Sequence, residues 1–153
     1  MDEKQISEIY ERNADMVYRL CFSYLKNRED ALDAVQNTFY QMIRTEKEFD
    51  NTEHEKAWLL VTAGNICKNV LKHWWRKNVS IEESDSLAAG ESPRDRELMM
   101  VILNLPLQYR IPVYLYYYEG YTSAEIGKIM GKSDATVRWY LSKGRELLKK
   151  EVG

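Results

Sequence analysis

Hydrophobic residues recur in the first half of the chain at intervals of three and four, the period of an α-helix with one buried face. A first helix is predicted from near residue 4 to residue 26, and Asn27 follows as a break or cap. A second helix begins at 28–30, and a third follows the polar, turn-like stretch 46–53. The predicted buried faces are Tyr10, Ala14, Val17, Cys21 and Tyr24; Leu32, Val35, Phe39 and Met42; and Leu59, Ala63, Ile66 and Val70.

The texture of the sequence changes at residues 78–93, which contain four serines, a glycine and a proline but no basic residue. Such a stretch is typical of a flexible linker, and it divides the chain into domains at 1–77 and 94–153. The second domain is predicted to contain a helix with Leu98, Val101, Ile102 and Leu105 that Pro106 ends, a short helix from Val113 to Tyr118 closed by Gly120, a helix capped by Thr122 or Ser123 that reaches Met130, and a helix from Asp134 to about Lys150. The predicted fold class is all-α, with an N-terminal helical bundle and a C-terminal helix-turn-helix domain.

Residues 122–145 carry the pattern of a helix-turn-helix. Its apolar positions, Ile126, Ile129, Val137 and Leu141, are spaced so that two short helices share a core. Gly131 stands at the reversal, Ser133 can cap the second helix, and Gly127 is small where the helices cross. An ordinary helical hairpin with a charged outer face is the structural alternative.

In a helix-turn-helix the second helix enters the major groove of DNA, and its N-terminal side chains meet base edges. The outward side chains are predicted to be Ala135, Thr136, Arg138, Trp139, Ser142 and Lys143. Arg138 can donate two hydrogen bonds to guanine, whereas Lys143, Arg145 and Lys149 are better placed for phosphates. Asp134 is unexpected beside DNA unless it stabilises the helix N-terminus.

The net charge of −2, from 22 basic and 24 acidic residues, is unevenly distributed. Residues 56–80 contain five basic and no acidic side chains, and residues 128–153 contain seven and three. Such clusters attract polyanions at short range even in a mildly acidic protein, because the screening length is only ~8 Å. Two solvated helix faces are the alternative interpretation.

Residues 56–77 of the first basic cluster also contain three tryptophans and two asparagines. Cations, aromatic rings and amides together are typical of helices that bind single-stranded nucleic acid. A buried packing role is favoured for Trp58, but Trp74 and Trp75 are adjacent and cannot both point inward. Asn65, between Ala63 and Ile66, needs a hydrogen-bonding partner.

Other classes of protein are disfavoured. No apolar run approaches the ~18 to 20 residues of a membrane span, and the acidic N-terminus has no signal core, so we expect a cytoplasmic protein without membrane insertion. The two cysteines and two histidines show no ligand spacing, so no metal or cofactor is expected. The motifs GxSxG, HExxH and a Gly-rich phosphate loop do not occur, and the chain is predicted not to be an enzyme.

Three blocks, 31–39, 58–77 and 103–145, together resemble a bacterial RNA polymerase sigma factor of the extracytoplasmic-function (group IV) type, within the sigma-70 family. The resemblance spans about residues 5–150 and preserves the order of the blocks. It implies a transcription initiation factor that binds core RNA polymerase and directs it to promoters. The chain departs from the family pattern at Gly127, where alanine is common, at Asn69, where aspartate is usual, and at Tyr140, where a basic residue is frequent.

The resemblance also implies roles for individual residues. The residues that would face the clamp of the largest polymerase subunit are Asp33, Val35, Gln36, Phe39 and Tyr40. Those that would bind and open the minus-ten element are Lys56, Asn65, Asn69, Lys72, His73, Arg76 and Lys77. Those that would bind the minus-thirty-five element are Thr122, Ser133, Ala135, Thr136, Arg138, Trp139, Ser142, Lys143 and Arg145. The flap of the second subunit and an anti-sigma factor are further partners that the resemblance implies.

A 16-residue linker has a typical span of ~22 Å, whereas the two promoter elements lie roughly 35 to 70 Å apart. We therefore expect core polymerase to set the spacing of the two domains. The main alternative is an autonomous helix-turn-helix regulator whose N-terminal domain dimerises or binds a ligand. A third interpretation, an adaptor that docks through Tyr116, Tyr117 and Tyr118, is less favoured because that run is predicted to belong to the core.

Overall fold

The computed structural model describes residues 1–76 and 93–152, with side chains described for 1–76 and 96–150. Seven α-helices and one π-helical turn make up its secondary structure, and no strand occurs in these residues. The all-α prediction is therefore confirmed. The chain separates into two compact units, of which one contains residues 1–76 and the other 93–152. The predicted linker and Lys77 lie outside the described residues, except that Pro93 already begins a helix.

The first unit is a bundle of three helices, α1 (Glu3–Leu25), α2 (Arg28–Arg44) and α3 (Thr52–Arg76), in which each helix packs on the other two. Polar side chains cap all three. Asp2 accepts a hydrogen bond from the Gln5 backbone amide at 2.8 Å, Asn27 from that of Asp30 at 3.0 Å, and Asn51 from that of His54 at 2.7 Å. These caps satisfy amides that a helix start leaves unpaired, which explains why the elements begin where they do.

The core of this unit is displaced slightly from the predicted faces. Val17, Cys21, Phe39, Met42 and Leu59 are buried as expected. Other predicted core positions lie nearer the surface, and this part of the prediction was wrong: Tyr10 and Leu32 are 47% and 44% exposed, and Ala14, Ile66 and Val70 are half-buried. Leu20, Leu25, Ala31, Leu60 and Cys67 fill the interior instead. On a helix, neighbouring positions define overlapping faces, and contact between the helices decides which face turns inward.

A polar cluster also lies in the first bundle. Glu55 is 4% exposed and accepts hydrogen bonds from Arg12 at 2.8 and 3.1 Å and from the Asn13 amide at 2.7 Å. Burial raises the pKa of Glu55, but the hydrogen bonds and the positive charge of Arg12 outweigh it, so the pKa lies below its ordinary value. The cluster ties the start of α3 to α1.

The second unit contains α4 (Pro93–Leu103), α5 (Leu107–Val113), a π-helical turn (Tyr114–Tyr118), α6 (Ser123–Met130) and α7 (Asp134–Val152). The buried residues of its core are Met99, Ile102, Leu105, Ile111, Val113, Tyr114, Leu115, Ile126, Ile129, Met130, Val137 and Leu141. Leu98, a predicted core residue, is 38% exposed, because Met99 takes the inward position.

The predicted short helix from Val113 to Tyr118 is a π-turn that continues α5. Pro112 has no amide proton to donate inside α5. The ladder then widens, because the Glu119 amide bonds the Tyr114 carbonyl five residues earlier. Gly120 follows with φ of 78°, a conformation that glycine adopts without strain, and it ends the turn as predicted.

Candidate nucleic-acid interface

One face of α3 carries most of the predicted minus-ten residues. Asn65, Asn69, Lys72, His73 and Arg76 are all exposed. They follow one another at intervals of four, three, one and three residues, which places them on one side of the helix, opposite the buried residues Leu59, Ala63, Cys67 and Leu71. Lys56 is exposed nearer the helix start. We call Asn65, Asn69, Lys72, His73 and Arg76 the α3 polar face.

The amide of Asn65 lies at the surface of α3. The sequence context indicates that this amide needs a hydrogen-bonding partner, and the side chain is exposed, so solvent or a ligand can supply one. Trp75 is 59% exposed beside the α3 polar face, while Trp74 is half-buried, as the adjacency argument required. Trp58 is half-buried, and its ring lies 5.8 Å from that of Phe49, consistent with a packing role. The α3 polar face thus combines basic side chains with two amides, and one open aromatic ring lies beside it.

In the second unit, α6 and α7 form the helix-turn-helix that the sequence predicts. Ile126, Ile129, Val137 and Leu141 are all buried. Gly131 ends α6 in the left-handed conformation, with φ of 71°. A Cβ atom on Gly127 would stand 2.6 Å from the Lys132 carbonyl oxygen, so the turn folds closely onto α6.

Hydroxyl caps define the start of both helices. Thr122 caps α6: its hydroxyl accepts from the Glu125 amide at 3.2 Å, and the Glu125 carboxylate accepts from the Thr122 amide at 3.0 Å. The hydrogen bond that the carboxylate accepts from the Thr122 backbone amide, together with one from the Thr122 side chain, lowers the pKa of Glu125. Ser133 accepts from the Thr136 amide at 3.1 Å and so caps α7. Two predicted minus-thirty-five residues therefore also have a structural role.

The outward side of α7 matches the prediction. Ala135, Arg138, Trp139, Ser142, Lys143 and Arg145 are exposed and Thr136 is half-buried. Trp139 is 56% exposed and lies 6.1 Å from the ring of Tyr109 and 5.7 Å from that of Tyr140. This aromatic cluster fixes the middle of α7 against α5, which spacing along the sequence does not reveal.

Several polar contacts of α7 can be identified only from the folded structure. The Ser123 hydroxyl donates to the Asp134 carboxylate, which also lies 3.4 Å from Nε of Arg138. Nζ of Lys143 lies 3.5 Å from the Glu146 carboxylate. Arg145 donates to the Tyr117 hydroxyl at 3.4 Å. Asp134 is thus engaged at the first turn of α7, which answers the objection to an acid at this position.

The tyrosine run 116–118 does not belong to the core, contrary to the prediction. Tyr116 and Tyr117 are 39% and 42% exposed, and their rings meet edge to face at 4.9 Å. Tyr118 is half-buried and stacks on Tyr114 at 5.6 Å. Only Tyr114 and Leu115 of the π-turn are buried, because the wider turn rotates the following residues outward.

The predicted polymerase-binding residues divide into two groups. Asp33, Gln36 and Tyr40 are exposed on α2, but Val35 and Phe39 are only 4% and 5% exposed. Val35 and Phe39 therefore pack in the bundle and are not available as surface contacts. The same exposed side also presents Leu32 and Ile43, each 44% exposed, and Tyr10 of α1 lies against Phe39 at 4.9 Å.

Leu32 and Ile43 were missed as surface residues, although the spacing of 32, 36, 40 and 43 is that of a single helix face. We call the exposed residues Leu32, Asp33, Gln36, Tyr40 and Ile43 the α2 face.

Within the described part of the chain, no group of three or more His, Cys, Asp or Glu side chains could hold a metal ion. No helix in that part is long and apolar enough to cross a bilayer. Cys21 and Cys67 are both buried as free thiols.

Comparison with known proteins identifies both units. The family model "Sigma-70 region 2" matches residues 9–78, and "Sigma-70, region 4" matches residues 95–148. The ECF RNA polymerase sigma factor SigM of Bacillus subtilis is 31% identical, with 94% of this chain and 93% of the relative covered. SigW of the same organism is 26% identical over 99% of this chain and 90% of the relative.

Solved structures show the same fold. The sigma factor RpoE from Bartonella quintana, in complex with the anti-sigma factor NepR, superimposes with a TM-score of 0.79 over 96% of both chains at 18% identity. CnrH in complex with the cytosolic domain of CnrY gives 0.69 over 99% of this chain and 89% of that chain, at 15% identity. Matches to both sigma regions do not favour the autonomous regulator. The chain belongs to the ECF RNA polymerase sigma factors of the sigma-70 family, which act in transcription initiation.

Proposed function

We propose that this sigma factor uses three surfaces, one for core RNA polymerase and two for promoter DNA. The observation that carries the proposal is the α3 polar face, where two amides and the side chains of Lys72, His73 and Arg76 stand exposed on the side opposite the buried apolar residues of the helix. Such a surface fits single-stranded DNA, because cations follow the phosphates while amides and rings engage unstacked bases. We assign it to the melted minus-ten element.

Opening the promoter needs no covalent chemistry at this surface. A base that leaves the duplex loses a few kcal/mol of stacking, and contacts with amides and an aromatic ring offset that loss. Asn65 and Trp75 are the side chains on or beside the α3 polar face that are suited to this capture. We accordingly propose that the protein is not an enzyme but acts by binding.

The helix-turn-helix of the second unit is assigned to the minus-thirty-five element as duplex. Ala135, Thr136 and Arg138 lie in the first turn and a half of α7, the part of such a helix that meets base edges. Lys143 and Arg145 follow one and two turns later and suit the phosphate backbone. In this proposal, α7 reads the sequence of the upstream duplex, and α3 binds the separated strand of the minus-ten element.

The α2 face is assigned to the clamp of the largest polymerase subunit. Leu32, Tyr40 and Ile43 give it an apolar centre, and Asp33 and Gln36 add polar groups beside it. Exposed aromatic and aliphatic side chains at helical spacing are typical of a face that packs on another helix. Val35 and Phe39 support this surface from beneath.

Further partners and location are also part of the proposal. Because RpoE was solved with an anti-sigma factor, we propose that an anti-sigma factor holds this chain inactive until a signal releases it. The flap of the second polymerase subunit is proposed as a contact of the second unit. We place the protein in the cytoplasm, where core polymerase acts, and propose that core polymerase draws the two domains apart.

Transcription in vitro tests the proposal. Purified protein and core polymerase are incubated with a promoter library, and the transcripts are sequenced. We expect transcripts only when both proteins are present, from templates that share two elements at fixed spacing. Absence of a complex between the protein and core polymerase in gel filtration would contradict the proposal. Equal binding of promoter duplex by the free protein and the holoenzyme would contradict the spacing role of the polymerase.

A further inference from the structure

Asp134 occupies an unusual position at the start of α7. It is the first residue of the helix, where the negative charge of a carboxylate is favourable. Its two oxygens are engaged separately: Oδ1 accepts from the Ser123 hydroxyl of α6, and Oδ2 lies 3.4 Å from Nε of Arg138. One carboxylate therefore links the N-termini of both helices of the motif to the arginine one turn into α7.

The contact through Nε determines which edge of Arg138 stays free. A guanidinium has five N–H donors in a planar fork, and the edge formed by its two terminal nitrogens matches O6 and N7 of guanine. Engagement of Nε by Asp134 restrains the side chain and leaves the two terminal nitrogens unused by that ion pair. The Arg138 side chain is 66% exposed, so it stands at the surface where a ligand can reach it.

We infer that Asp134 is a positioning residue for base reading, which aims the terminal edge of Arg138 at one guanine of the upstream promoter element. The inference rests on the proposed function of the helix-turn-helix and names the base class that it reads. Ser123 anchors Asp134 from the neighbouring helix, so the aim of Arg138 is set by α6 as well as α7. Asp134 itself lowers the general attraction to DNA, because its negative charge opposes the phosphates.

Asp134 therefore acts on DNA binding in two opposite ways: it supports base discrimination by Arg138 and weakens the general attraction to phosphates. One substitution can separate these effects. In Asp134→Asn the amide retains an acceptor for Ser123 but loses the charge that holds Arg138. Binding of the holoenzyme to all upstream sequences is expected to tighten, while discrimination at the position read by Arg138 falls about two- to fivefold, the range of an exposed ion pair. Misfolding would weaken binding at every sequence, so it cannot produce this combination.

The experiment measures transcription by holoenzyme on a promoter library randomised through the upstream element. Arg138→Ala is expected to abolish preference for guanine at one position, a loss of about 5- to 150-fold. Asp134→Asn should relax the same position, and the double variant should relax it no further than Arg138→Ala. Asp134→Glu, which keeps the negative charge, should retain more of the guanine preference than Asp134→Asn.

Glu146→Gln is the matched control, because Glu146 is an exposed acid on α7 that pairs with Lys143 and lies two turns beyond Arg138. It should tighten binding uniformly and leave every base preference intact. Unchanged preference in Asp134→Asn, or a change at a position that Arg138→Ala does not affect, would overturn the positioning role. If Arg138→Ala alters no position at all, the proposed base reading by α7 fails instead.

Discussion

The backbone carbonyl oxygen of Lys132 lies 2.6 Å from the place that a Cβ atom would take on Gly127. The Lys132 amide also donates to the Gly127 carbonyl at 2.8 Å, so the turn closes directly onto the last turns of α6. Alanine is common at this position in the family that the chain resembles. In this protein, however, the group opposite Gly127 is the Lys132 backbone, which cannot rotate away. Gly127 therefore sets how closely the turn approaches α6.

Gly127→Ala should destabilise the second unit. Alanine gains about 1 kcal/mol of helix propensity, but the clash with the turn costs about 1–3 kcal/mol, so a net loss of about 1 kcal/mol is expected. Hydrogen–deuterium exchange should become faster in α6 and α7 and remain unchanged in α1–α3.

Gly64→Ala is the matched control for this change. A Cβ atom on Gly64 would lie 3.5 Å from the Tyr24 hydroxyl oxygen, an ordinary contact, so alanine should fit in α3. Exchange in α1–α3 is expected to slow by the equivalent of about 0.5–1 kcal/mol, the cost of glycine in a helix. Slower exchange in α6 and α7 of Gly127→Ala would show that the turn yields and that Gly127 does not set its approach.

Local chemistry explains what the sequence predicted well. Gly131, Thr122 and Ser133 act within a few residues of themselves, so turn and caps could be assigned from spacing alone. Burial depends on which neighbouring residue faces another helix, and the sequence could not separate Leu98 from Met99. Contacts between helices could not be predicted from the sequence for the same reason, because they depend on the tertiary structure.

The candidate site shows the same division. Exposure of Asn65 and Arg138 follows from helical period, because each lies opposite a strong apolar stripe. The period also placed Val35 and Phe39 correctly in the apolar stripe of α2, but the resemblance assigned them to a partner surface. The contact of Asp134 with Ser123 joins residues 11 positions apart, across a turn whose path the sequence does not specify.

Glu55→Gln should lower stability near neutral pH by about 1–3 kcal/mol, because the amide presents donors to Arg12 and Asn13 in place of an accepting carboxylate. The pKa of Glu55 is depressed in the folded protein, so its stabilising effect is complete above the unfolded pKa of about 4.3 and is lost as the pH falls through the folded value. The difference between wild type and variant in urea denaturation should shrink over that acidic range.

Glu53→Gln provides the comparison, because Glu53 is an exposed acid in the same first turn of α3. Its effect should stay within about 0.5 kcal/mol. A difference between wild type and Glu55→Gln that persists unchanged at pH 3 would contradict the role assigned to the Glu55 carboxylate.

The two thiols should be unreactive in the native protein. Cys21 and Cys67 are 0% exposed, and a hydrogen bond with Cys21, together with burial, raises the pKa of Cys67 well above its ordinary value. Since the thiolate is the reactive form, a disulfide reagent at pH 8 should modify neither thiol rapidly. Two equivalents should react at once in denaturant, and fast reaction of either thiol without denaturant would count against the buried pair.

Adjacent residues of α2 should separate stability from polymerase binding. Phe39→Ala removes a buried ring and should cost about 3–5 kcal/mol of stability. Tyr40 is 61% exposed, so Tyr40→Ala should change stability by less than about 0.5 kcal/mol but weaken binding to core polymerase by about 2 kcal/mol or more. Competition with unmodified protein for limiting core measures the second effect, and full affinity of Tyr40→Ala would exclude this surface as the docking site.

Asn65→Ala should impair promoter opening without affecting assembly with core polymerase. Asn65 is exposed on the α3 polar face and is not part of the α2 face, so its loss removes a contact with an unstacked base worth about 1 kcal/mol, or roughly fivefold in the open complex. Permanganate reactivity of thymines measures the opening. A template with unpaired bases at the minus-ten element should restore transcription, because opening is then no longer required.

Asn104→Ala is the control, because Asn104 is an exposed amide in the second unit, and this variant should behave as wild type. A defect that persists on the unpaired template, or that accompanies weaker core binding, would assign Asn65 a different role.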